Sequence, residues 1–299
     1  MLGRGTLSRR YTLTASPEMV DHESNANAMT DPLLDAAEEA LDKGDVWAAM
    51  DLGRRAVERS PESPRAHFVL GEILWEMTDA ESAEERYRTV ISLTRPDDSL
   101  HGKSWSALGW VLFDQLRFRE SYAATLRAIR VRPLAPESYY VRAMLRERKG
   151  DVYGAKRDYL RAHRGEPERY PLPADLTDAM VEAVVQQVLR RLHPTVRAYL
   201  SQVPIILEDF PDDEVCSQYD PPALPGEVLG YFAGTSLAER SMLDSWTTLP
   251  STIVLYRNNL ARLFENREQL IHELTVTVFH EVGHYLGLDE RELATRGLE

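Results

Sequence analysis

The sequence His-Glu-Val-Gly-His-Tyr-Leu-Gly-Leu-Asp-Glu, at residues 280–290, carries a metal-binding pattern. On a helix, His280 and His284 project from the same face about one turn apart, so two imidazoles can bind one ion. Zinc at catalytic sites takes three protein ligands and keeps a fourth position for water. Glu281, next to the first histidine, can reach that water without binding the metal. The stretch therefore predicts a catalytic zinc site.

The third ligand is expected shortly after the second histidine. Gly287 can adopt the left-handed conformation that ends a helix, which lets the chain turn back toward the metal. The acidic residues that follow are Asp289, Glu290, Glu292 and Glu299. We predict Glu290 as the third ligand, with Asp289 as the main alternative. The competing interpretation is an ordinary helix whose histidines are hydrogen-bonded within the protein and bind no metal.

Composition indicates a globular protein of two domains. The chain has 299 residues, of which 43% are hydrophobic and 28% charged, and its net charge is −13. This charge argues against non-specific nucleic-acid binding. Cys216 is the only cysteine, which excludes an intramolecular disulfide and fits a reducing compartment, so we expect a cytoplasmic protein. No apolar run reaches about 18 residues, so no membrane span is predicted. Residues 1–29 are polar and predict a disordered leader.

Residues 30–169 repeat with a period of 34. The positions that recur in the first and last units are Gly44, Ala49, Ala56 and Pro61, and Gly150, Ala155, Ala162 and Pro167. Together with Leu70-Gly71 and Leu108-Gly109, they resemble the tetratricopeptide repeat. The predicted units are 30–63, 64–97, 102–135 and 136–169. Four extra residues within Asp98–His101 are expected to lengthen the turn between units two and three. This resemblance implies an all-α solenoid.

Aromatic residues on the first helix of each unit are expected to face the concave side of the solenoid. They are Phe68, Trp75, Trp110, Phe113 and Tyr140. An aromatic groove of this kind would suit a peptide or protein partner. The alternative is that these rings pack within the array or are covered by the other domain.

A proline-rich linker at 170–173 is predicted to separate the repeats from a domain at 174–299. Hydrophobic periodicity there indicates a helix at 174–192 and strands at 203–207, 228–233 and 252–256. A second long helix is expected at 267–286, carrying the histidines. Helices combined with a small sheet give an α+β domain. It contains 20 acidic residues, nine arginines and no lysine, so nearly all of the net charge lies here.

Three stretches of this domain resemble the small bacterial zincin-like metallopeptidase family. They are Leu229-Gly230-Tyr231, the segment Leu249-Pro250 to Tyr256-Arg257, and residues 280–290. The resemblance spans about 174–299. It implies a compact zincin fold, bound zinc and peptidase activity, whereas no substrate follows from it.

The predicted chemistry is zinc-dependent hydrolysis of a peptide or protein substrate. His280, His284 and Glu290 would hold the zinc, and Glu281 would take a proton from the attacking water and pass it to the leaving amine.

Two further elements would serve this reaction. The strand 252–256 is expected to offer a free edge to an extended substrate. Tyr256 or Tyr285 would then donate a hydrogen bond to the oxyanion.

Two alternatives to a peptidase remain open at this point. One is an adaptor, in which the repeats bind a partner and the metal domain is structural or inactive. The other is a metal-dependent hydrolase that acts on a non-peptide amide.

Overall fold

The computed structural model describes residues 31–132, 134–201, 203–219, 222–236, 251–263 and 267–295. It excludes the side chains of Tyr199, Leu263, Arg267, Leu270 and Glu290. The predicted leader at 1–29 and the candidate ligand Glu299 lie outside these residues. Two compact units meet at the chain position between Tyr170 and Pro171.

The first unit consists of helical hairpins that follow one another along the chain, as a tetratricopeptide solenoid requires. Its helices are α1 (Pro32–Asp42), α2 (Val46–Arg59), α3 (Pro64–Glu76), α4 (Ala80–Leu93), α5 (Ser99–Asp114), α6 (Phe118–Val131), α7 (Pro136–Glu147) and α8 (Val152–Gly165). Contacts are densest between the two helices of each hairpin, α1–α2 to α7–α8. The predicted all-α array is confirmed.

The turn inside each hairpin takes the same backbone conformation. Gly44, Thr78, Leu116 and Gly150 all have φ between 62° and 77°, in the left-handed region that favours glycine. In three of the four hairpins an aspartate after this residue caps the second helix, whereas Arg117 takes that place in the third and makes no side-chain cap. The array therefore repeats its geometry even where its sequence departs from glycine.

The four extra residues extend a helix instead of a turn. Asp98 accepts a hydrogen bond from the Leu100 amide at 2.8 Å and so caps α5, whose first turn contains Ser99 and His101. As a result α5 has 16 residues, against 11 to 13 in the other first helices. The expectation of a longer turn was wrong because Asp98 is a good N-cap residue in the position where a helix can begin.

The aromatic residues expected to line an exposed groove are buried inside the array. Phe68, Trp75, Trp110, Phe113 and Tyr140 are each at most 6% exposed. Their rings pack against neighbours, as in the stacked pair Trp110–Tyr140, whose centroids lie 6.0 Å apart. This corrects the expectation that they form an open surface: rings of this size fill the space between helices. Binding of a partner by the array stays a prediction.

The second unit combines helices with a small mixed sheet. Its elements are α9 (Asp178–Arg191), α10 (Pro194–Leu200), β1 (Ile205–Glu208), α11 (Asp213–Ser217), β2 (Gly230–Ala233), β3 (Thr252–Tyr256), α12 (Arg257–Leu263), α13 (Arg267–Leu286) and α14 (Glu290–Thr295). The bounds of β3 and α13 are those that the sequence predicts. The predicted α+β class is confirmed.

The sheet has the order β1–β3–β2, with β1 parallel and β2 antiparallel to β3. Because β3 hydrogen-bonds on both sides, it offers no free edge, and the expectation that 252–256 pairs with substrate was wrong. Within the described residues β2 and β1 are the outer strands. Strand β1 spans Ile205–Glu208, where the sequence predicts a strand at 203–207, and its Ile206 is 40% exposed.

The core of this unit lies between one face of the sheet and the helices α9 and α13. Ile253 and Leu255 of β3 pack there with Leu274, Val278 and Val282 of α13. Side chains alternate along a strand, so Val254 and Tyr256 point to the opposite face. The helix that carries the histidines is therefore held by its apolar residues against a defined face of the sheet.

Candidate metal centre

The end of α13 determines where the second histidine points. Gly287 has φ of 93° and its amide donates to the His284 carbonyl at 2.9 Å, while the Leu288 amide donates to the Gly283 carbonyl at 3.0 Å. These two bonds form a Schellman motif, which ends a helix and reverses the chain. The left-handed stop that the sequence predicts at Gly287 is confirmed.

The two histidines converge. Their Nε2 atoms lie 3.0 Å apart and their ring planes are nearly perpendicular, at 85°. His284 Nδ1 lies 3.2 Å from the carbonyl oxygen of Leu288. Because a carbonyl can only accept, Nδ1 of a neutral His284 carries the proton and its Nε2 presents a lone pair. A hydrogen bond of this kind from the distal nitrogen is what orients metal-binding histidines.

This pair fits a zinc ion after a small adjustment. Zinc–nitrogen bonds of about 2.0–2.1 Å at tetrahedral angles would separate the two Nε2 atoms by about 3.3 Å. The observed 3.0 Å is a few tenths of an ångström shorter and allows one imidazole to donate to the other. In the part of the chain that the structure describes, no group of three His, Cys, Asp or Glu side chains is arranged to hold a metal. The pair therefore supplies two of three expected donors.

Glu281 lies against strand β2. It is 4% exposed, and its Oε1 would be 3.0 Å from a Cβ built on Gly230. Thr277 Cγ2 would be even closer to that Cβ, at 2.9 Å. Thr277, Glu281 and Tyr285 follow one another at intervals of four and so share the face of α13 that meets β2. The carboxylate therefore lies between the outer strand and the helix that carries the histidines.

Two of the acidic candidates for the third ligand are occupied in capping α14. The Glu292 amide donates to Asp289 Oδ1 at 2.9 Å, and the Asp289 amide donates to Glu292 Oε2 at 3.0 Å. This reciprocal pair is a capping box, the arrangement that satisfies free amides at a helix start. Glu290 is the first residue of α14. Its side chain lies outside what the structure describes, so its metal-binding role stays a prediction.

The tyrosines predicted as oxyanion donors are both buried. Tyr256 belongs to the face of β3 opposite α13, and burial, reinforced by Glu208 and Asp212, raises the pKa of its phenol. This position corrects the expectation for Tyr256, because the face away from α13 is also away from the histidines. Tyr285 packs edge-on against Phe232, with ring centroids 5.9 Å apart, and its ring is part of the apolar core.

Three residues that help to build this region were not recognised as such from the sequence. Gly230 allows β2 to approach Glu281, and Gly283 allows α14 to approach α13, where Leu293 Cδ2 would lie 2.3 Å from an added Cβ. Asn259 is fully buried and donates to the carbonyls of Pro225 and Val228, just before β2. A glycine inside a long helix is a signal that could have indicated the second contact, because it costs stability unless something needs the space.

Comparison with known families also separates a repeat region from a C-terminal region. The tetratricopeptide repeat family matches residues 34–98 and 106–171. The zincin-like metallopeptidase family matches residues 200–298, which include both histidines, Glu281 and Glu290. No curated protein matches the chain. The helices described within residues 31–295 show no span long and apolar enough to cross a membrane.

Solved structures with helical repeats are similar to part of the chain. A tetratricopeptide protein of Thermus thermophilus, TTC0263, is 19% identical with a TM-score of 0.40, over 56% of this chain and 85% of that one. PilF of Pseudomonas aeruginosa is 21% identical with a TM-score of 0.40, over 45% and 60%. MamA of Desulfovibrio magneticus is 16% identical with a TM-score of 0.39, over 45% and 74%. At these values no function is inferred from them.

Proposed function

Because the chain joins tetratricopeptide repeats to a zincin-like metallopeptidase domain, we propose that its C-terminal unit hydrolyses peptide bonds with a bound zinc ion. The observation that carries this proposal is that the Nε2 atoms of His280 and His284 lie 3.0 Å apart on α13. Glu281 follows His280 on the same helix. Bound zinc would supply a water of pKa near 7 and would polarise the scissile carbonyl.

The protein's own residues would prepare the site and move the proton. The Leu288 carbonyl holds His284 in the tautomer whose Nε2 can bind a metal. Glu281 would accept the proton of the attacking water on a carboxylate oxygen and then deliver it to the amine that leaves. Its burial against Gly230 limits its freedom of movement and shields it from bulk water. Packed in this way, the carboxylate would need little reorganisation during the reaction.

Glu290 is the third ligand in this proposal. The capping box uses one oxygen each of Asp289 and Glu292, which favours Glu290 over both of these alternatives. Leu293 is fully buried where α14 meets α13 at Gly283. Leu293 therefore holds α14 against the helix that carries the histidines.

The deciding experiment combines zinc analysis with a peptide-library cleavage assay on the parent and on Glu281→Gln. We expect one zinc per chain in both proteins and a loss of turnover of at least about 1,000-fold in the variant, because only the proton acceptor is removed. Glu268→Gln is the matched control, since Glu268 is an exposed carboxylate on the same helix. Equal cleavage by parent and Glu281→Gln would refute the assigned role.

The repeat array would recruit the protein that is cleaved. Tetratricopeptide repeats match residues 34–98 and 106–171, and stacked helical repeats form extended surfaces suited to protein partners. Recruitment predicts a lower KM for the full chain than for residues 171–299 with similar kcat, once circular dichroism has shown that the shorter protein is folded. Zinc binding without cleavage of any library peptide would instead favour the adaptor, in which the metal domain is structural or inactive.

A further inference from the structure

Helix α14 packs on α13 at a single glycine that lies between Glu281 and His284. A Cβ built on Gly283 would be 2.3 Å from Leu293 Cδ2, a separation at which the leucine side chain or the backbone that carries it must shift. Leu293 is completely buried. The two helices therefore meet at the helical turn that carries the candidate metal donors.

The chain between the helices is fixed at both ends. The Schellman motif at Gly287 closes α13, and the capping box of Asp289 and Glu292 opens α14. Only Leu288 lies between Gly287 and Asp289, so little freedom is left in the turn. Once Leu293 is seated on Gly283, the position of the first turn of α14 is determined.

Gly283 is the seventeenth residue of the 20-residue helix α13, and a glycine inside a helix needs a reason. Glycine inside a helix is less stable than alanine by about 0.5–1 kcal/mol, because it loses more backbone entropy on folding. The neighbouring positions of α13 are occupied by larger residues, Val282 and His284. The close approach of Leu293 explains why position 283 is a glycine, because any other residue would place a Cβ in the space that Leu293 occupies.

We propose that the contact between Gly283 and Leu293 is a positioning element that sets the distance from α14 to the two histidines, and so controls zinc affinity. This inference rests on the proposed function, with Glu290 at the start of α14 as the third ligand. Neither residue binds the metal. The contact acts by holding the backbone that carries the ligand, which is the role of the groups around a metal site.

The test measures zinc dissociation constants by chelator competition on the full chain. The variants are Gly283→Ala, Leu293→Ala and the double variant with both alanines. Gly283→Ala should displace α14, and Leu293→Ala should loosen it, so each should weaken zinc binding about 10- to 100-fold. In the double variant two methyl groups can meet in the space of one leucine side chain. We expect it to bind zinc more tightly than either single variant, although it has lost the buried leucine.

Leu274→Ala is the control for a general loss of packing. Leu274 is a fully buried leucine of α13 that belongs to the core and lies nine residues before Gly283. It should lower the urea midpoint of the second unit as much as Leu293→Ala does, while changing zinc affinity much less. If affinity merely follows stability across all four variants, the contact is ordinary packing and the proposal is wrong.

Other outcomes also decide the question. Unchanged affinity in Gly283→Ala, or a double variant weaker than both single variants, would overturn the positioning role. If Gly283→Ala does not fold, Leu293→Ala and Leu274→Ala alone still separate the two explanations, because α13 is unaltered at the histidines in both. A parent protein that binds no zinc would refute the proposed function itself, which is a different result from a parent that binds zinc and variants that bind it equally well.

Discussion

The two units of this protein differ in how strongly their structure depends on individual residues. In the repeat array the same turn recurs four times, and it keeps its left-handed conformation with glycine, threonine or leucine. In the second unit, His280, Glu281, Gly283 and His284 stand within five residues, and each has a distinct contact. A repeated architecture spreads its stability over many equivalent contacts, so local departures are tolerated. A single site has no second copy, so each residue there should be sensitive in its own way.

The largest expected effect in the described part of the array comes from the buried ionic cluster around Asp158. Asp158 is fully buried and accepts from Arg142 at 2.6 and 2.8 Å and from Arg146 at 2.8 Å. Asp158→Ala would leave these guanidinium groups without their partner, at a cost of about 3–5 kcal/mol in unfolding free energy. Urea unfolding followed by circular dichroism would measure it.

Asp51→Ala is the matched control for this change. Its carboxylate is 69% exposed and pairs with Arg55 four residues on, so the loss should stay below about 0.5 kcal/mol. Zinc content should be the same in both variants. A lower zinc content in Asp158→Ala would mean that damage to the array reaches the metal site, and the contrast drawn between the two units would fail.

Removing a histidine tests the same contrast in the second unit. His280→Ala should abolish the stabilisation that zinc gives to the second unit, which is about 2.7 kcal/mol at a zinc concentration 100 times the Kd. Hydrogen exchange read by mass spectrometry can follow the two units separately. We expect zinc to slow exchange in α13 of the parent only, with no change in α3 or α7. Protection by zinc that persists in His280→Ala would show that this residue is not a ligand.

Most of the fold could be predicted from hydrophobic periodicity and sequence motifs. The limits of α13 and β3 followed from hydrophobic patterns, because long periodic segments and β-branched runs have few alternative structures. The order of the strands could not be predicted, because the local sequence does not determine which strands pair. For this reason β3 was wrongly predicted to be an edge strand. The error at Tyr256 has the same origin, because its face depends on that pairing. The role of Gly283 depends on a residue ten positions later, and a spacing motif contains no information about such a contact.

An acidic residue makes the stability of the array depend on pH. Burial raises the pKa of Glu72 to about 8, with a further contribution from Glu38 that Lys103 and Arg169 partly offset. The unfolded carboxyl loses its proton near 4.5, so between these pH values the folded chain holds the proton that the unfolded chain has released. Stability of the array should therefore fall as the pH rises from about 4.5 to about 8, and then level off.

Glu72→Gln should remove this dependence, because the amide keeps the shape of the protonated acid and does not ionise. We expect the variant to be more stable than the parent by about 2 kcal/mol near pH 9, and similar to it near pH 5. This difference is smaller than the full pKa shift would give, because part of the Glu72 side chain is exposed to solvent. Urea unfolding of both proteins at the two pH values measures the difference. Parallel pH profiles would show that Glu72 is not the source.

The smallest effect concerns the hairpin turns, where the array has departed from its own pattern. Thr78 and Leu116 both have φ of 62°, which costs a residue with a side chain about 1 kcal/mol more than glycine. Thr78→Gly and Leu116→Gly should each stabilise the array, by less than that amount because glycine also gains freedom in the unfolded chain. Gly150→Ala is the reverse experiment: an added Cβ would meet nothing within 4 Å, so its expected destabilisation is purely conformational. If glycine destabilises the array at Thr78 and Leu116 while alanine is tolerated at Gly150, the left-handed φ of the turn residue does not determine the stability of these turns.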